Sequence, residues 1–324
     1  MNIDQLETGS GHAAAYRTLR DLGLASHVAE IDAFGFTVIP PELAAPDGLA
    51  DRLLERLLEI SAQRNGGIVP DVETGSTHGE LLNAGGQHMF FLLQEGRVFE
   101  EALMNPVALA FSDYLVGQDA IFSSMTSMVK GPGKLPLRMH SDQPIHPIDR
   151  ALVCNASYLL TDYSRENGAL CFVPGSHRAQ RQPIAAENWL VDGGPVIDAV
   201  EKVKRGEDVA ITVPPNVVPV EAPAGSMVVW HGNTWHGAFN RTTPGLRVNL
   251  IMYFSSPALL PQEPYRERLP QEVLDRNDET FARLMGRDVW YGFTDEGPQY
   301  EPGVAFELHR KRARAGFVDP AVPS

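Results

Sequence analysis

Apolar positions along the chain follow two rhythms. Across residues 47–63, Leu49, Leu53, Leu57 and Ile60 recur at helical spacing, with Leu54 and Leu58 beside them. Asp47 is the expected N-cap of that helix, and Asn65-Gly66-Gly67 is its stop. A second helical stretch spans 98–116, broken near Asn105-Pro106. A shorter helix is expected at 13–22, and from Pro261 onward the pattern turns helical again, best over 271–285. Elsewhere the rhythm shortens. Strands are predicted at 34–39, stopped by Pro40-Pro41, and at 121–129, 151–160, 169–173, 217–220, 226–231 and 247–254. Short strands parted by Gly/Pro turns favour a mainly β barrel or sandwich with helices packed outside. Residues 66–88 read as a long loop, 178–208 as a polar excursion or lid, and 291–302 as coil.

Composition narrows the picture. A chain of 324 residues allows one large domain with excursions or two small ones. With 43% hydrophobic residues it can bury an ordinary core. A net charge of −14 argues against nucleic acid and anionic membranes as main partners. The basic run His309-Arg310-Lys311-Arg312-Ala313-Arg314 departs from that balance and reads as a solvated helix end. Two cysteines, Cys154 and Cys171, lie in apolar strand-like runs, as buried thiols of a reducing compartment would. The first residues lack a secretory signal, and no apolar run reaches membrane-spanning length. A cytoplasmic location is expected.

The candidate chemistry centres on His140-Ser141-Asp142. On an extended segment, residues two apart point to the same face. A third imidazole from a distant strand would complete two His and one carboxylate on one side of a metal. That set leaves coordination positions open and marks non-haem Fe(II) oxygenases. His231 and His236 both compete for the third place. Arg247 follows His236 by eleven residues across Thr242-Thr243-Pro244-Gly245. If the two flank that turn on paired strands, the guanidinium could grip a carboxylate in the same pocket.

Three stretches together resemble the phytanoyl-CoA dioxygenase (PhyH) superfamily of Fe(II)/2-oxoglutarate oxygenases. They are Met139 to Asp142; Glu166-Asn167-Gly168-Ala169-Leu170 running into Val173-Pro174-Gly175-Ser176-His177; and Trp235-His236-Gly237 through Asn240 to Arg247. The resemblance covers roughly residues 30–255. It implies a double-stranded β-helix, or jelly roll, in a single oxygenase domain. The core would lie at about 120–255, with an N-terminal flank of helix and strand (1–119) and a C-terminal helical extension (256–324). It implies Fe(II) held by His140, Asp142 and His236, with His236 selected over His231 by Trp235, Gly237 and the spacing to Arg247. Arg247 would anchor 2-oxoglutarate, and O2 would be the oxidant. The implied reaction oxidises a C–H bond of a small organic molecule, releasing succinate and CO2. Because Asp142 keeps the carboxylate, hydroxylation is favoured over halogenation. The substrate itself is not implied.

Six residues are candidates for the substrate pocket. Arg138 shares parity with His140 and Asp142, so it either faces the cavity or forms a salt bridge at the rim. His146 follows the motif, either at the pocket mouth or on the surface. Met125 and Ser127, or their neighbours depending on register, would line a wall from the strand at 121–129. His231 and Trp235 flank the distal metal residue. His78 and His88, in or beside the long loop, are weaker candidates. A monomer or homodimer is expected. Two rival readings share the same barrel: a cupin-like metal-dependent isomerase or hydrolase without 2-oxoglutarate, and a non-catalytic small-ligand-binding barrel.

Overall fold

Six strands pair antiparallel into the larger of two sheets, in the order β1-β11-β5-β13-β3-β2. They are β1 (Phe36–Ile39), β2 (Gln87–Met89), β3 (Ile121–Lys130), β5 (Val153–Leu159), β11 (Met227–His231) and β13 (Arg247–Ser255). The smaller sheet runs β10-β6-β12-β4, with β4 at Leu137–His140, β6 at Leu170–Phe172, β10 at Val218–Pro219 and β12 at His236–Ala238. The two sheets form the expected double-stranded β-helix. The computed structural model describes residues 11–75, 86–287, 289, 293–294 and 297–298. His78, the basic run at 309–314 and most of the coil expected at 291–302 lie outside the described residues.

Period-two alternation divides the larger sheet into a helix side and an inner side. On β13, Val248, Leu250, Met252 and Phe254 join Met125, Val129, Ala156 and Tyr158 in the core under the helices. Leu53 and Leu57 of the helix Leu49–Arg64 and Phe99 of the helix Arg97–Leu103 cover that face. The opposite phase faces the smaller sheet. There Leu159, Phe172, Val228 and Trp230 form a second core, with Phe36 stacked on Phe172 at 4.3 Å. A third cluster of Met139, Cys171, Trp189, Trp235 and Phe239 lies on the outside of the smaller sheet.

Several elements differ from the sequence pattern for local reasons. The strand expected from residue 34 begins at Phe36, because Phe34 ends the helix Ala25–Phe34. Gly35 caps that helix in the left-handed region at φ 86°. A Cβ there would sit 2.4 Å from Thr234 Oγ1, so only glycine fits. Asp47 is not the N-cap of the long helix. It sits in a short turn at φ 57°, and Gly48 occupies the cap position before Leu49–Arg64. The single helix expected at 271–285 is two, Gln271–Asp275 and Glu279–Leu284. Asp278 caps the second by accepting from Phe281 N at 2.9 Å, while Arg276 and Asn277 turn away to bind Glu100. Asn105 does cap the helix Pro106–Leu115, which accounts for the predicted break. The excursion at 178–208 is ordered. It carries β7 (Leu190–Val191) and β8 (Gly194–Pro195), which form a small sheet with β9 (Ile211–Thr212) just beyond it, and a helix at Val200–Lys204. The N-terminal flank contributes β1 and β2 to the main sheet, so that sheet extends beyond 120–255.

Candidate metal centre

His140 ends β4 and His236 opens β12, and the two are direct cross-strand partners. Their rings lie 4.2 Å apart between centroids. Asp142 follows β4 and turns back to meet them. Its Oδ2 is 3.3 Å from His236 Nε2, and its Oδ1 is 3.6 Å from His140 Nε2. One donor atom from each of the three lies within 4.8 Å of the others.

Backbone carbonyls fix the orientation of both imidazoles. His140 Nδ1 donates to Arg138 O at 3.0 Å, and His236 Nδ1 donates to Thr234 O at 3.1 Å. A carbonyl can only accept, so each ring carries its proton on Nδ1. Each Nε2 lone pair is thereby presented toward Asp142, as a metal ligand requires. Burial and the neighbouring His236 hold the His140 pKa well below the ordinary histidine value, which keeps that ring neutral. The site opens on one side: the His140 side chain is 25% exposed, whereas that of His236 is 5% exposed.

Asp142 is held by groups that sequence reasoning did not single out. Asn155 Nδ2 donates to its Oδ2 at 2.9 Å, and Trp230 Nε1 donates to the same oxygen at 3.2 Å. Asn155 and Trp230 are cross-strand partners on β5 and β11. Tyr253 adds a bond from its hydroxyl to Asp142 O at 3.2 Å. A polar Asn inside the apolar run at 151–160 was the one available signal for this set.

The Pro-Gly-Ser-His stretch supports β12. Ser176 Oγ donates to Val173 O at 2.6 Å and accepts from Trp235 N at 2.8 Å. That contact fixes the residue just before His236. The Asn-Gly stretch supports Arg247: Gly168, at φ 76°, turns its carbonyl to accept from Arg247 Nη1. Arg247 begins β13 on the inner face, 5% exposed, with its guanidinium over the Tyr163 ring at 5.4 Å. Its Nε is buried with no hydrogen-bond partner.

The pocket candidates separate. Arg138 is exposed on the face of β4 that carries His140, and its guanidinium has no ion pair or hydrogen bond among the described residues. The alternative of a rim salt bridge is therefore not realised there. His88 pairs with Met128 and shares its face of the sheet. Met125 and Ser127 do not line the cavity. They share the phase of Val129 and point into the helix-side core, while Thr126 and Met128 face inward opposite Ile251 and Asn249. His231 also points outward: its Nδ1 accepts from Asn233 N at 3.0 Å, and burial with neighbouring His177 pushes it down to about 4. Trp235 faces the outside of the smaller sheet, donating from Nε1 to Arg181 O at 2.7 Å with the Arg181 guanidinium over its ring. His146 precedes a cis peptide to Pro147, and no contact among the described residues ties it to the triad.

Comparison with known proteins places this geometry. The phytanoyl-CoA dioxygenase (PhyH) family model matches residues 31–249, two-thirds of the chain, a span that includes His140, Asp142, His236 and Arg247. The chain belongs to the phytanoyl-CoA dioxygenase family. Dioxygenase af480 of Aspergillus fumigatus is 27% identical over 263 residues, covering 79% of this chain and 75% of that protein. The ectoine dioxygenase of Stutzerimonas stutzeri is 24% identical over 277 residues, covering 79% and 85%. Among solved structures, HygX from Streptomyces hygroscopicus with nickel and 2-oxoglutarate bound shares the fold. Its TM-score is 0.51 at 18% identity, over 73% of this chain and 88% of that one.

This PhyH-family member is a non-haem iron dioxygenase that uses Fe(II), 2-oxoglutarate and O2. The donors present suit those groups. Two imidazoles and a carboxylate converge on one point, and a buried guanidinium keeps an unpartnered Nε. Among the described residues, no helix is long and apolar enough to cross a membrane.

Proposed function

We propose that His140, Asp142 and His236 hold Fe(II), that Arg247 binds the distal carboxylate of 2-oxoglutarate, and that the enzyme hydroxylates a C–H bond of a small organic substrate. The cross-strand pairing of His140 with His236, both Nε2 atoms aimed at Asp142, carries the reading. When bound, the iron supplies O2 activation coupled to decarboxylation. Overall, 2-oxoglutarate, O2 and R–H become succinate, CO2 and R–OH.

The protein's own contribution is orientation and exclusion. Asn155 and Trp230 occupy Oδ2 of Asp142, which leaves Oδ1 as the free donor and favours one-oxygen ligation. Carbonyl bonds to the two Nδ1 atoms fix ring rotation. Phe172 and Trp230 pack against His236 at 5.9 and 5.2 Å between ring centroids, closing the buried side to water. The exposed side of His140, beside Arg138, is the side for substrate entry. One relative is named for ectoine, a precedent for a small organic substrate.

Iron content and 2-oxoglutarate-dependent succinate formation test this reading. The His140→Ala protein should lose both. A His140→Ala protein with normal iron and turnover would remove the assignment. Iron binding by wild type without any 2-oxoglutarate dependence would favour the cupin-like alternative instead.

A further inference from the structure

The inner face of the larger sheet is not uniformly closed. On β3 and β13, the inner positions that keep some exposure are Thr126, Met128, Ile251 and Tyr253. Tyr253 is committed to Asp142 O. The rest of that open wall is a methionine, an isoleucine and one threonine hydroxyl, and it carries no charge. His88 on β2 is the cross-strand partner of Met128 and continues its face. Its ring lies 4.2 Å from that of Phe90 between centroids, and both residues are exposed. An exposed aromatic pair thus carries the apolar wall to the edge of the larger sheet.

β4 is the edge of the smaller sheet on the same side, where the chain passes from β3 to β4. It presents Arg138. Arg138 and His140 are two apart on an extended strand, so their Cα atoms are about 7 Å apart and their side chains leave the same face. The guanidinium is near enough to weigh against protonation of the His140 ring. It is exposed and makes no ion pair or hydrogen bond among the described residues. The chain has 41 acidic against 27 basic residues, so acids are in good supply. Lys134, just before β4, has taken Asp208 as a partner at 2.8 Å. Exposure by itself would suit an ordinary solvated arginine. Placement on the face of the metal donors, with its five N–H groups unspent, suits a ligand-binding one.

Resting on the metal-donor assignment above, we infer that Arg138 binds an anionic group of the substrate, a carboxylate or a phosphate monoester, while the apolar or aromatic body of the substrate lies along Met128 and Ile251 toward the His88–Phe90 pair. A planar fork of donors matches either anion. Because Arg138 and His140 leave the strand side by side, the oxidised carbon lies only a few bonds from the anionic group. The substrate's charge is then read by β4, apart from the co-substrate's carboxylate on β13. Arg138 is a specificity-determining residue in this account, and a neutral analogue of the substrate is discriminated against by the missing anion.

The test is anaerobic titration of protein loaded with Fe(II) and saturating 2-oxoglutarate, followed by calorimetry and by the visible band of the chelate. The probes are phenylacetate, 1-naphthylacetate and hexanoate, the neutral amide of each, and phenyl phosphate. Saturating 2-oxoglutarate keeps these anions off Arg247. Wild type should bind the acids about tenfold more tightly than their amides, as a charge-assisted bond provides. Arg138→Met and Arg138→Gln should both abolish that preference. Their chelate band and melting temperature should match wild type, since the guanidinium has no internal partner to lose. Phe90→Ala should weaken the aromatic acids and spare hexanoate. Tighter binding of phenyl phosphate than of phenylacetate assigns the anion as a phosphate, and the reverse order as a carboxylate.

Equal binding of acids and amides by wild type overturns the inference, as does a preference for acids that survives in both Arg138 variants. Binding of no probe at all also overturns it. Unchanged affinity for the aromatic acids in Phe90→Ala overturns the placement of the substrate body. Failure of wild type to form the chelate removes the metal assignment instead, and this inference falls with it.

Discussion

Asn188 hydrogen-bonds both backbone groups of Met139, donating to its carbonyl and accepting from its N–H, each at 2.9 Å. Gln182 does the same to Ser141, at 2.8 and 2.9 Å. β4 is the edge of its sheet, so these two side-chain amides stand in for the missing neighbour strand. They clamp the residues that alternate with His140 and Asp142. The excursion that supplies them therefore supports the proposed metal centre through the backbone of β4. Replacing Asn188 with Ala removes both bonds and should cost about 1–3 kcal/mol. Denaturant unfolding would show the loss, and iron titration should show weaker binding. Normal iron affinity in a folded Asn188→Ala protein would confine the clamp to stability.

Asn155 gives a more local test. Asn155→Ala frees Oδ2 of Asp142 from its shorter bond and leaves Trp230 as the remaining donor. Loss of a group that orients a metal ligand typically lowers metal affinity about 10–100-fold. Competition against a chelator measures this directly, and Trp230→Phe should add to the loss.

The C-terminal extension is fastened by an acid. Burial pushes the Glu100 carboxyl up, but bonds from Arg276 and Asn277 outweigh it and hold the group below the ordinary glutamate value. A carboxyl with a lowered folded-state pKa stabilises above its unfolded pKa and loses that stability as pH falls through the folded value. Stability should therefore decline from about pH 5 downward. Glu100→Gln should show a shallower decline at a lower overall stability. An identical acid slope in wild type and variant would contradict the role.

Both thiols should be silent in the native protein. Burial raises the pKa of Cys154 and of Cys171 well above the ordinary thiol value, and neither is in a disulfide. An aromatic disulfide reagent should react at the rate of unfolding rather than at the rate of a free thiol. Rapid labelling of the folded protein would contradict the burial of β5 and β6.

The sequence made the His140–Asp142 half of the proposed metal centre legible for a simple reason. His140 and Asp142 are two apart at the end of a strand, so local geometry alone puts them together. His236 and Arg247 needed the family pattern, because nothing local distinguishes His236 from His231. The inner wall was not legible. The run Ser123-Ser124-Met125-Thr126-Ser127-Met128 offers polar and apolar side chains in both phases, so it does not announce which faces in. Register with β13 decides for Thr126 and Met128, and against Met125 and Ser127. The Asp142 partners were hidden because they reach it from two other strands, Asn155 thirteen residues away and Trp230 eighty-eight. No strand was expected in the excursion because the two it carries are two residues long, below what alternation can reveal.

The most direct test of the central claim is anaerobic titration of the metal-free protein with Fe(II) and 2-oxoglutarate, watching for the weak visible charge-transfer band of the iron chelate. The band should appear in wild type, vanish in His140→Ala, and need much more 2-oxoglutarate in Arg247→Ala. Iron bound without the band, or a band unaffected by loss of His140, would contradict the assignment.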